Sequence, residues 1–293
     1  MDDFAQSFEH NFYLTDEYAR FCSTITNIPL KKRAVAGQVI HTLRNKNVAI
    51  SNYSDDLCRE FKRQKITHLR VTPEFNDPAP RPSLMEYSIF HKTTYDEAFK
   101  KYRTSFFHGL REGRKFPHQV RVVRRPDGRL VGDIYRIYTD QMKRHNSYHF
   151  PLSFFETFLA SPSALLFLIE YQQQVIAYFC CFEHHDNIYA SIGGGNPRYF
   201  SHKSSNKLYD ELIRYACQNG LNIHLGIGEH AAGYQKFKRN AGLSCYRVER
   251  FPDDDNVLRL SIPFLKFRLT GKVLDAASSL FPHLVTYISM PFT

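Results

Sequence analysis

Between Gly226 and Gly242 runs a stretch whose side chains could do chemistry: Glu229, His230, Tyr234, Lys236, Lys238 and Arg239, set among four glycines. An ammonium just past a strand end can stabilise negative charge developing on a carbonyl oxygen. Glu229 or His230 could take a proton from an attacking amine, and Tyr234 could return one to a leaving group. The glycines allow tight turns and close approach of a ligand to the backbone. The spacing also fits a plain amphipathic helix, with Tyr234, Phe237 and Ala241 on the core and the lysines in water. Periodicity taken alone favours that second arrangement.

A second group is defined by charge. From Lys100 to Arg129 the basic residues are Lys100, Lys101, Arg103, Arg111, Arg114, Lys115, Arg121, Arg124, Arg125 and Arg129, against only Glu112 and Asp127. Most of the chain's formal charge of +10 therefore sits in one stretch. Such a surface attracts phosphates, whether of a nucleotide, a nucleic acid or a membrane.

The elements that must hold these groups are legible mainly after residue 50. Thr15-Asp16-Glu17 opens a helix, and Ser54 caps another that carries Leu57 and Phe61. Strands are expected at Thr67–Val71 and Met85–Phe90, around a proline-rich loop. Thr94-x-x-Glu97 is a capping box. It heads a single helix through Phe99, Tyr102, Phe106 and Leu110 to Gly113. Gln119–Val123 is a strand, and Ile134 to Met142 lies in a helix. Ser153-x-x-Glu156 reads as a second capping box. Leu165–Tyr171 and Val175–Phe182 form a hairpin, and Asn187–Ile192 is a third strand that exits through Gly193-Gly194-Gly195. A helix then runs from Ser205 to Gly220. Strand Asn222–Ile227, helix Ala231–Asn240 and strand Leu243–Val248 complete the order.

This order resembles the GNAT acyltransferase fold, and more closely its FemABX-like branch, in which the fold occurs twice in one chain. Gly233-Tyr234-Gln235-Lys236-Phe237-Lys238-Arg239-Asn240-Ala241-Gly242 is similar to the family's G-x-x-x-F-K-x-x-F-G ending, with Ala241 in place of the second aromatic. The helix Ser205–Gly220, followed by a strand ending in glycines, also matches. So does the basic helix from Phe99 to Lys115. The resemblance implies an α/β (α+β) chain of two tandem GNAT-like repeats, with mixed sheets flanked by helices and the C-terminal repeat the more complete. The repeats would span 1–128 and 129–250, and a tail, 251–293, would pack on the first or touch a membrane surface.

The resemblance also implies a function: transfer of an acyl or aminoacyl group from acyl-CoA or aminoacyl-tRNA to an amine acceptor. Its catalytic residues would be Lys238, Glu229 and Tyr234. Phe237, Arg198, His202 and Lys203 would bind substrate or carrier. Arg103, Arg111 and Arg114 would hold an anionic acceptor or RNA in a basic cleft. The region Gly193–Ser205 lacks the R/Q-x-x-G-x-G/A pattern of acyl-CoA members, which tilts the donor towards aminoacyl-tRNA. A non-catalytic scaffold that binds RNA or another anion is the alternative.

No tightly bound cofactor and no metal are expected. Cys22, Cys58, Cys180, Cys181, Cys217 and Cys245 make no C-x-x-C pair, and His184-His185-Asp186 lacks a fourth ligand. The cysteines read as reduced thiols of a cytoplasmic protein. No apolar run is long enough to span a bilayer.

Overall fold

The computed structural model describes residues 3–43, 46–75, 85–145, 149–228 and 232–251. Glu229, His230, most of the proline-rich loop and the tail from 252 onward lie outside these residues, and so do the expectations attached to them. The helices are α1 (Asp3–Gln6), α2 (Asp16–Thr26), α3 (Asp55–Arg63), α4 (Tyr95–Lys100), α5 (Thr104–Gly113), α6 (Gly128–His145), α7 (Leu152–Ala160), α8 (Ser204–Asn219) and α9 (Ala232–Asn240). The strands are β1 (Leu30–Val35), β2 (Gln38–Leu43), β3 (Lys46–Ser51), β4 (Thr67–Phe75), β5 (Met85–Phe90), β6 (Gln119–Val123), β7 (Ala164–Tyr171), β8 (Gln174–His184), β9 (Asn187–Gly195), β10 (Asn222–Gly228) and β11 (Ser244–Phe251).

Several starts follow directly from side-chain capping. The hydroxyls of Thr15, Ser54 and Thr94 accept from the backbone N–H of Tyr18, Leu57 and Glu97, satisfying donors that a helix leaves free at its first turn. The expected helix from Thr94 to Gly113 is in fact two. Arg103 takes an extended conformation, and its N–H donates to the carbonyl of Asn240 at 2.9 Å instead of continuing the helix. Ser153 is not a cap either, because α7 already begins at Leu152 behind Pro151.

All the strands join one mixed sheet, in the order β1-β2-β3-β4-β11-β5-β10-β9-β8-β7-β6. In β1–β4 an antiparallel meander is followed by a parallel neighbour reached through α3. The same pairing recurs in β7–β10, where the crossover is α8. Strands β11 and β5 stand between the two sets. One apolar cluster, around Tyr87, Phe155, Phe158, Phe182 and Tyr189, receives the N-terminal segment with α2, α6 and α7. A second, around Phe106, Phe167, Phe179, Leu212 and Ile223, receives α4, α5 and α8. The alternation along β8 feeds both: Tyr178, Cys180 and Phe182 point one way, Phe179 and Cys181 the other.

One irregularity in this sheet positions the site. Strands β9 and β10 pair in parallel only at Asn187–Asn222, Ile188–Ile223 and Tyr189–His224, yet β9 continues to Gly195 and β10 to Gly228. Past His224, β10 bulges: its register against β5 shifts between His224 and Ile227, and Gly226 sits at φ +63°. Residues of β9 beyond Tyr189 therefore pair with β8 alone. The glycine triplet forms the end of β9, not an exit from it.

Candidate active site

Leu225 is the first residue of β10 beyond the paired stretch, and its carbonyl accepts a hydrogen bond from Lys238 Nζ at 3.2 Å. Lys238 extends from α9 to the point where the strands part. The helix is amphipathic, as its spacing predicts, but its faces differ from that prediction. Ala241 and Lys238 are fully buried, at 0% exposure, while Tyr234 is 42% exposed and Phe237 is half-buried. Lys238 turns inward because the bulged carbonyl of Leu225 offers its ammonium an acceptor. The ring of Tyr234, 4.6 Å from Nζ, offers a second favourable contact. Burial pulls the Lys238 ammonium down to about 8, against the opposing influence of Cys245 and Glu86.

Around this group the packing is close. The hydroxyls of Tyr234 and Tyr209 are 2.7 Å apart, joining α9 to α8. Phe237 packs edge-on against Tyr209 and Phe106, and Tyr209 against Phe179, at centroid distances of 4.9, 5.4 and 5.1 Å. On the far side, Arg239 pairs with Glu86 of β5. That bond ties α9 to the strand facing Gly228. Tyr209, Phe179 and Glu86 were not singled out from the sequence. Tyr209 reads there as one more apolar position of a strongly periodic helix, and only the fold brings its hydroxyl to Tyr234.

Gly193 belongs to this packing. A Cβ there would stand 2.4 Å from the ring of Phe179, which is itself held by Tyr209. Gly193→Ala is expected to cost about 1–3 kcal/mol, as overpacking does. Among the described residues nothing lies within 4 Å of a would-be Cβ at Gly233 of α9. Gly233→Ala is expected to stabilise by about 0.4–1 kcal/mol. Urea unfolding of the two variants side by side checks the contrast.

The remaining expected binding residues divide into two places. Arg198, His202 and Lys203 lie in or next to the 3-10 turn Pro197–His202, which leads into α8. Arg198 and Lys203 are exposed. His202 turns inward, stacked on Phe116 at 3.8 Å and edge-on to Tyr171 and Tyr199. Arg103, Arg111 and Arg114 are exposed along α5. That helix packs on α9 through Phe106 and Phe237, and on α8 where Asn206 closes over Gly109. Among the described residues no group of three His, Cys, Asp or Glu side chains is placed to hold a metal ion, and no helix is long and apolar enough to cross a membrane.

Comparison with known proteins bears on the fold that carries these residues. Residues 100–239 match the family model described as an acetyltransferase (GNAT) domain, a span that starts just before α5 and ends one residue after Lys238. No curated protein matches the chain. The crystal structure of FemX is similar at a TM-score of 0.60 and 11% identity, covering 88% of this chain and 97% of that one. The C-terminal domain of a putative lysylphosphatidylglycerol synthetase from Agrobacterium fabrum gives 0.55 and 11%, covering 89% and 96%. L-PGS from Bacillus licheniformis gives 0.52 and 10%, covering 90% and 99%. At such identities the likeness is one of fold. Residues 100–239 are thus similar to an acetyltransferase (GNAT) domain, and the chain as a whole has a fold similar to that of FemX.

Proposed function

We propose that this protein is an N-acyltransferase that moves an acyl or aminoacyl group from a thioester or ester carrier, acyl-CoA or aminoacyl-tRNA, to an amine. The observation that carries the reading is the fully buried Lys238 ammonium, held by the Leu225 carbonyl where β9 and β10 part. The neutral amine attacks the carrier's carbonyl carbon. The carbonyl oxygen becomes an oxyanion facing Lys238, and the bond to the carrier oxygen or sulfur then breaks. The amine's proton passes to Glu229 or His230, and Tyr234 supplies the proton the departing carrier needs. Tyr209, bonded to the Tyr234 hydroxyl, orients it. A preorganised cation in a water-poor site stabilises the oxyanion more strongly than one in bulk water would. The family match over residues 100–239 supports the class of reaction.

The test is the pH dependence of transfer. If Lys238 must be charged, kcat falls above about pH 8 as its ammonium loses a proton. Lys238→Arg keeps a charge at any accessible pH, so the alkaline fall should vanish even where the absolute rate drops. An unchanged alkaline limb in that variant would show that another group titrates there and that Lys238 does not hold the oxyanion.

A further inference from the structure

We propose that the N-terminal segment from Phe4 to Leu14 is a positioning strap for the site: it fixes the point where β9 and β10 part, and with it the carbonyl that holds Lys238. Phe4, Phe8 and Phe12 recur every four residues and are all buried. Between them they cross the middle of the sheet in strand order. Phe4 packs on Tyr246 of β11 at 4.7 Å, and Phe8 on Tyr87 of β5 and His224 of β10 at 5.9 and 5.2 Å. Phe12 packs on Tyr189 of β9 and Phe182 of β8 at 5.9 and 4.6 Å. These rings belong to the first apolar cluster, whereas Phe237 and Ala241 of α9 belong to the second. The segment therefore acts on Lys238 through the strands, from the other face of the sheet.

Its polar bonds converge on one residue pair. Tyr189 and His224 are the last residues that β9 and β10 pair in parallel, and their rings stack at 4.7 Å. Both are fully buried. The Tyr189 hydroxyl accepts from the N–H of Phe12 at 3.1 Å and donates to the carbonyl of His10 at 3.3 Å. His224 Nε2 donates to the carbonyl of Ser7 at 2.9 Å, and its Nδ1 accepts from the Tyr87 hydroxyl at 3.1 Å. An imidazole bonded in this way is neutral. Burial pulls it down to about 3, so the bonds persist throughout the neutral and alkaline range.

The next residue of β10 is Leu225, whose carbonyl accepts from Lys238. The strap thus grips both strands at the last step before they diverge. A segment that only filled the core would need its three phenylalanines and not these bonds. Hydrogen bonds from Tyr189 and His224 to the strap's backbone fix its register over the sheet, and reciprocally fix the two strands. Tyr189 and His224 are positioning residues in this scheme. The effect on rate rests on the transferase reading; the effect on the strands does not.

The experiment compares Tyr189→Phe in the full chain with Ile40→Val and Leu57→Ala, which thin the outer cluster around Phe61. Tyr189→Phe keeps the stacked ring and removes only the hydroxyl, so its loss of melting temperature should fall between those of the two controls. Hydrogen exchange read by mass spectrometry should show the amides of residues 225–228 opening about 10-fold faster in Tyr189→Phe and unchanged in both controls. In transfer assays kcat should fall about 10-fold with KM unchanged. The alkaline fall near pH 8 should move up, because burial is what pulls Lys238 down and looser strands admit water. Cys245 of β11 and Glu86 of β5, which oppose that pull, are the same in every variant. Exchange at 225–228 that matches the parent, or that the controls speed up equally, would overturn the proposal. So would an alkaline limb left in place while kcat falls. Faster exchange in Tyr189→Phe together with a Lys238 variant of full activity would end the transferase role of Lys238 and leave the strap standing. Parent-like exchange in Tyr189→Phe, with transfer lost in a Lys238 variant, would do the reverse.

Discussion

Lys238→Met should lower turnover by about 10²–10³ and at the same time make the protein more stable. The loss follows from the role of the ammonium: removing one preorganised donor from an oxyanion site costs this much in rate. The gain follows from its burial. Lys238 is fully buried, and its ammonium is pulled down to about 8 from 10.5, so at neutral pH the folded chain carries a charge that the unfolded chain holds more cheaply. That difference is worth about 3 kcal/mol. Methionine has a similar length and needs no proton, and it gives up only the bond to Leu225 and the contact with the Tyr234 ring. A net gain of about 1–2 kcal/mol is expected at pH 7. The sign has a pH signature. Between about pH 8 and 10.5 the unfolded chain binds the proton that the folded chain has lost, so native stability rises through that window. The variant lacks this rise. Urea midpoints of both proteins at pH 7 and pH 10, with single-turnover transfer assays at pH 7, measure the two effects together. A variant that is less stable at pH 7, or as fast as the parent, would contradict the role assigned to Lys238.

The same residue shows what a sequence can and cannot reveal. The pair Phe237-Lys238 and the glycines around it are local, so pattern alone locates them on a short helix after a strand. Which way Lys238 points is not local. Periodicity sends it to water. The structure sends it inward because a bulge at Gly226, one strand away, leaves the carbonyl of Leu225 turned towards α9. The strands β7 to β10 and the helix α8 carry strong apolar patterns, and their boundaries are readable to within a residue or two except at the end of β9, which runs three residues past Ile192. Strands β1 to β3 were not. Leu30-Lys31-Lys32-Arg33 carries charge on both sides of an outer strand, and the apolar alternation that marks a half-buried strand is absent. The split between α4 and α5 was likewise invisible, since Phe99, Tyr102, Phe106 and Leu110 keep helical spacing across it. Only the bond from Arg103 to Asn240, far along the chain, explains the break. The glycine triplet looked like a loop because glycine favours loops. Here Gly193 is required by the ring of Phe179 lying over the strand.

The second large effect lies outside the site and concerns what holds it together. Asp210 of α8 is 1% exposed, and its Oδ1 accepts from the hydroxyls of Tyr95 at 2.7 Å and Tyr102 at 3.0 Å. Arg214, one turn further on, stands 3.6 Å from Oδ2 and covers the ring of Tyr95. This network ties α8 to the α4–α5 segment, so it fixes Tyr209, the neighbour of Asp210, relative to α5. Neither tyrosine can ionise to compensate for a lost acceptor, since burial pushes both phenols up. Asp210→Ala would leave two hydroxyls without their acceptor and Arg214 with Glu211, 3.9 Å away, as its remaining carboxylate among the described residues. The expected cost is about 3–5 kcal/mol, the range for a buried ionic group deprived of one partner. Asp210→Asn keeps an acceptor oxygen for the tyrosines and loses only the charge, so it should cost less than half as much. Denaturant unfolding of the two variants against the parent measures this order. Equal losses would mean that the charge facing Arg214, rather than the shared acceptor of the two tyrosines, holds α8 in place.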